Sequence, residues 1–145
     1  MTIRWFLHVI LSVSEESPGV MQRSPVNGGG GLDSVLEEEI LTLYQDPGIG
    51  ASYTNTYGEE NIQNLVGKYR SLKGESTREM LEMLIRFSQS SDLATCFVSV
   101  GVLHALGKNE DVQEAYRWAE TQEDSSRIIS HFDISKSVAD YFTSA

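Results

Sequence analysis

Apolar residues crowd most densely between positions 91 and 107. There Leu93, Ala94, Cys96, Phe97, Val98, Val100, Val102, Leu103, Ala105 and Leu106 leave only Thr95, Ser99 and His104 as polar interruptions. A run this long exceeds the usual four to eight residues of a strand, despite its β-branched content. The Ala105-Leu106-Gly107 ending also suits a helix stopped by glycine, so a buried helix with Asp92 at its N-cap is expected. Around it the polar and apolar positions alternate at helical spacing. Leu32, Val35, Leu36, Ile40, Leu43 and Tyr44 form one face over 33–45, which Asp46-Pro47-Gly48 terminates. Ile62, Leu65, Val66, Tyr69 and Leu72 form a stripe over 59–72, with Glu59 and Glu60 in the first turn and Gly74 at the end. Ser76-Thr77-Arg78-Glu79 reads as a capping box opening a helix that runs to Ser88. Val112, Ala115, Tyr116 and Ala119 stripe a helix capped by Asn109. A last helical region spans 125–142, with a break expected near Asp133-Ile134-Ser135.

These elements predict an all-α fold: a compact bundle of about six helices from Leu32 onward, joined by short antiparallel hairpins. Between the first two helices, residues 46–58 (DPGIGASYTNTYG) form a loop of a length that is often functional. Before Leu32 the character changes. Residues 3–13 are apolar but too short to span a bilayer and make a poor leader; residues 17–31 are rich in proline and glycine. Residues 1–31 are therefore expected to be a flexible extension outside a single domain at 32–145, and Met21 is an alternative start.

Composition sharpens this picture. Twenty-one acidic residues against eleven basic ones give a net charge of −10. Such a surface repels nucleic acid and anionic membranes, so neither is an expected partner; a basic protein is. A single cysteine excludes an internal disulfide framework and fits a reducing, cytoplasmic setting.

The segment from Asp92 through Val102-Leu103, Ala105-Leu106-Gly107 and Asn109-Glu110-Asp111-Val112 resembles a HEAT-type or armadillo-type helical hairpin over about forty residues. The arginine that such repeats often carry after the turn aspartate is missing, because 93–97 is uncharged. The resemblance implies a binding scaffold without catalytic residues.

Chemistry-bearing constellations are sparse. His8, His104 and His131 are scattered, with no Glu-x-x-His pair, so no metal or other cofactor is expected. Cys96 and His104 are eight residues apart, about 12 Å along a helix, which is too far for a nucleophile–base pair. The expected function is a non-enzymatic protein-interaction domain with an acidic surface, for instance a bacterial immunity or antitoxin-type protein that masks a basic partner. Glu37, Glu38, Tyr53, Tyr57 and Trp118 are the candidate contact residues. The alternative is a small ligand-binding or enzymatic bundle with its site between the 46–58 loop, His104 and Tyr116. A third expectation is self-association through the wide apolar stripes of the helices beginning near Ser76 and Asn109.

Overall fold

The computed structural model describes residues 30–144. The expectations for residues 1–29 lie outside the described residues. Six α-helices and one 3-10 turn follow in order: α1 Gly30–Gln45, the turn η1 Tyr53–Asn55, α2 Glu59–Ser71, α3 Glu75–Ser88, α4 Leu93–Ala105, α5 Asn109–Glu120 and α6 Ser125–Ser144. No helix among them is long and apolar enough to cross a membrane. The all-α bundle expected from the apolar spacing is the fold observed.

The helices form two rows. Lys68 of α2 pairs with Glu39 of α1, while Asn61, about two turns earlier on α2, reaches the carbonyl of Leu43; the two helices therefore run antiparallel. On α4 and α6 the cross-links keep the same order, Phe97 with Ser135 and His104 with Asp140, so these two run parallel. Helices α2, α4 and α6 make one row and α1, α3 and α5 the other, each helix touching its chain neighbours and its row neighbours. The α2–α4–α6 row curves enough for α2 and α6 to touch directly.

Helix α4 is the centre of the bundle. Every residue from Leu93 to Leu103 is buried. Burying a valine, leucine or phenylalanine side chain contributes roughly 1.5–3 kcal/mol, so this helix concentrates the hydrophobic stabilisation of the chain. It ends where the apolar run ends. Lys108 N–H bonds the Leu103 carbonyl at 2.9 Å and Gly107 N–H that of His104 at 3.0 Å, a Schellman closure with Gly107 in the left-handed region at φ 78°. Its polar residues are mostly satisfied internally. Ser99 donates its single proton to the Thr95 carbonyl at 2.8 Å, so Tyr44 of α1 must be the donor in the 2.5 Å bond between their hydroxyls. Among the described residues, the Thr95 hydroxyl is the one buried side-chain polar atom with no partner.

Gly101 fixes how closely the row can pack. A Cβ placed there would stand 2.6 Å from Ile62 Cδ1 of α2 and 2.6 Å from Ser135 Oγ of α6. No other residue type would let both neighbours approach α4 at this level. Ser135, buried, donates to the Phe97 carbonyl at 2.5 Å and so cross-links α6 to α4.

Five local expectations are corrected. Helix α1 begins at Gly30, inside the glycine run rather than after it. Helix α3 starts at Glu75, one residue before the expected cap. Gly74 (φ 60°) turns the chain into the helix, which leaves Ser76 in the first turn rather than at its cap and places no side-chain bond at the cap. For the same reason Gly74 opens α3 rather than closing α2, whose C-cap is Leu72. Asn109 is the first helical residue of α5, and Lys108 occupies the N-cap. Helix α6 runs unbroken through 133–135, because Ser135 is spent on the bond to α4 and Asp133 on Tyr116 rather than on recapping.

Candidate functional site

The last helix is apolar on two sides. Ile128, Phe132, Ser135 and Ala139 recur at helical spacing and face the core, the last three buried. About a quarter-turn away, Ile134, Val138, Tyr141 and Phe142 make a second stripe. Ile134, 43% exposed, and Tyr141, 76% exposed, bring this stripe to the surface, while Val138 and Phe142 between and beside them are half-buried. Isolated exposed apolar residues are ordinary, but a continuous stripe at helical spacing beside a concavity marks a contact surface.

The concavity is a groove of about 1080 Å³ between α2 and α6. Its wall on α6 is Asp133, Ile134, Ser137, Val138, Tyr141 and Phe142; the opposite wall is Thr54, Tyr57, Glu59, Glu60, Gln63 and Asn64. A second depression of about 680 Å³ continues it past Tyr141 and Phe142, along Val66, Gly67 and Arg70 of α2, to Ala105 at the end of α4. Gln63, Tyr141 and Phe142 line both, so they form one trough along the α2–α6 seam.

The 46–58 loop that supplies one wall is held by two buried asparagines. Asn61 Nδ2 donates to the carbonyls of Leu43 at 3.1 Å and Pro47 at 2.8 Å. Asn55 Nδ2 donates to Asn61 Oδ1 at 2.9 Å and to the Gly48 carbonyl at 3.0 Å, while its Oδ1 accepts from Glu60 N–H at 2.8 Å. Ile49 is buried beneath the loop. The two asparagines thus satisfy the loop's inward carbonyls and fix the N-terminus of α2. Tyr57 N–H in turn bonds Glu59 Oε1 at 2.8 Å, and Thr54 donates to Glu60 Oε2 at 2.6 Å. The tyrosine and both carboxylates are thereby set along the rim.

The rim is acidic at this end. Glu59, Glu60 and Asp133 line the groove, and none of them is in an ion pair among the described residues. Asp133 accepts from the Tyr116 hydroxyl at 2.6 Å, and Lys136 stands over the Tyr116 ring at 5.1 Å. Burial, then the bond to the Asp133 carboxylate, pushes the Tyr116 hydroxyl above its ordinary pKa, so it stays a neutral donor. The far end of the trough carries Arg70, exposed and in no ion pair among the described residues.

Of the candidate contact residues, the structure brings Tyr53 and Tyr57 together on the loop. Tyr57 lines the groove, and Tyr53 is 91% exposed beside it in η1. Glu37 and Glu38 lie on α1, in the other row. Trp118 on α5 packs partly buried against the core. The spacing places Val138, Tyr141 and Phe142 on the apolar side of the last helix but does not single out them or Ile134 as a contact surface, although the excess of apolar residues on one 20-residue helix was a signal for it.

The reactive-looking residues are dispersed. Cys96 is buried, its Sγ 3.3 Å from the Leu93 carbonyl, and burial pushes its thiol up to about 12. A thiol so deprived of its thiolate is a poor nucleophile. His104 Nε2 lies 2.7 Å from Asp140 Oδ1 at the C-terminal end of α4. The groove takes Thr54 and Tyr57 from the 46–58 loop but neither His104 nor Tyr116. No group of three or more histidines, cysteines and carboxylates among the described residues could hold a metal ion. No protein-family model, curated protein or solved structure matches the chain.

Proposed function

We propose that the chain is a non-enzymatic protein-interaction domain whose contact surface is the trough between α2 and α6. The observation that carries this reading is the second apolar stripe of α6, with Ile134 and Tyr141 exposed along a groove whose opposite wall supplies Tyr57. Aromatic residues at the centre of a concave, partly apolar surface are the usual anchors of protein contacts. The rim carboxylates, in no ion pair among the described residues, and the net charge of −10 favour a basic partner and speed its approach. Masking of a basic partner by an immunity or antitoxin-type protein is the concrete form of this reading. The two alternating rows of helices support the HEAT-like scaffold, since such rows present one curved face to a ligand.

The test is affinity capture from a lysate of the source cells with the wild-type chain and with Ile134→Asp. The reading predicts a basic protein retained by the wild type, released by salt and lost with the variant. Retention of the same proteins by both baits, or of acidic proteins regardless of salt, refutes it.

A further inference from the structure

The trough has a direction, and it selects the occupant. Helices α2 and α6 run parallel along its two sides. Along it, Ile134, Val138 and Tyr141 offer an apolar line of about 10 Å, and Asp133 to Thr143 spans about 15 Å, the length of a three-turn helix. Its charge is graded. Glu59, Glu60 and Asp133 stand at the end where α2 begins, and Arg70 stands at the opposite end. Helices α1 and α2 pack antiparallel, and a helix laid on α2 and α6 in that sense would place its C-terminus beside the three carboxylates. Cations are favoured at the C-terminus of a helix and anions at its N-terminus. The grading of the trough and the dipole of an antiparallel guest therefore agree.

We infer that the trough binds an amphipathic partner helix antiparallel to α2 and α6, with lysine or arginine in its last turn against Glu59, Glu60 and Asp133 and a carboxylate in its first turn against Arg70. Its apolar anchors fall at i, i+4 and i+7, matching the spacing of Ile134, Val138 and Tyr141. This rests on the trough being the interaction surface, and it adds the secondary structure, the charge order and the orientation of the guest.

The probes are two synthetic 14-residue helical peptides with leucines at the same i, i+4 and i+7 positions. One carries glutamates in the first turn and lysines in the last; the other reverses the charges. Binding to the full chain is read by amide chemical shifts, and a nitroxide at each peptide's C-terminus reports orientation. The inference predicts at least tenfold tighter binding of the first peptide, with stronger broadening at Glu59 and Glu60 than at Arg70. Equal affinity of the two peptides, a preference for the reversed one, or stronger broadening at Arg70 than at Glu59 and Glu60 overturns it. Ile134→Asp, and Tyr141→Ser at the still more exposed position, separate the two levels. If either abolishes binding of both peptides but the peptides bind the wild type equally, the orientation fails and the trough stands. If both variants bind as well as the wild type, the trough reading fails with it. Failure of the first peptide to bind at millimolar concentration overturns the inference. So does a trough already filled, whether by a second copy, seen as a doubled mass in light scattering, or by residues 1–29, seen as binding restored on their removal.

Discussion

Gly101→Ala tests the packing on which the trough depends. The added methyl would stand 2.6 Å from both Ile62 Cδ1 and Ser135 Oγ, inside the contact distance that side chains tolerate. Overpacking of a filled core costs about 1–3 kcal/mol. Moving Ser135 also loosens its bond to the Phe97 carbonyl, and a buried hydroxyl left unpaired costs about 1–3 kcal/mol. Against this, alanine gains about 1 kcal/mol over glycine in a helix interior. The balance is a destabilisation of about 2 kcal/mol, or a fall in Tm of roughly 8 °C for a domain of this size. Gly67→Ala is the matched control. It too lies within a helix, α2, but a Cβ there meets nothing within 4 Å, so only the propensity gain remains and stability should rise by about 0.5–1 kcal/mol. Urea and thermal unfolding followed by circular dichroism measure both. Combining Gly101→Ala with Ser135→Ala removes one of the two clashes, so the pair should cost less than the sum of the singles. A Gly101→Ala protein as stable as Gly67→Ala would refute the close approach of α2 and α6 across α4.

Other consequences follow from particular groups. Thr95→Val removes the buried hydroxyl without a partner and should raise stability by about 1 kcal/mol in the same unfolding assay. Asn61→Ala removes the donor to the Leu43 carbonyl and leaves Pro47 only the longer bond from Asn55; a loss of about 1–3 kcal/mol is expected, with faster amide exchange across residues 46–60. Cys96 should resist a thiol reagent at pH 8 in the native protein and react fully in denaturant. Because its folded pKa is raised, from 9.0 to about 12, the unfolded chain ionises first. Stability is therefore full below about pH 9 and falls as pH climbs toward 12, with Tyr44 adding in the same direction, and Cys96→Ala should flatten part of that fall.

The helices themselves could be read from apolar spacing, and the buried run at 91–107 is the central helix of the bundle. What spacing could not supply is how one helix uses several faces. On α6 the inward residues Phe132 and Ala139 and the outward residues Ile134 and Tyr141 merge into a single apolar list along the chain, and only the position of α2 separates them. Gly101 sits inside a helical run as an ordinary interruption until α2 and α6 are seen to meet over it. The capping box at Ser76 is a sound local signal, but it lost to a glycine two residues earlier that turns the chain into the helix sooner. Asn55 and Asn61 are plain polar residues in sequence. Their role depends on carbonyls up to eighteen positions away, which no local pattern encodes.

The central claim, that the α2–α6 trough is the contact surface, is met most directly by hydrogen–deuterium exchange of the full chain with and without its captured basic partner. The structure predicts new protection confined to residues 54–70 and 133–143, and none of it in Ile134→Asp. Protection on α3 and α5 with the trough unchanged would contradict the account.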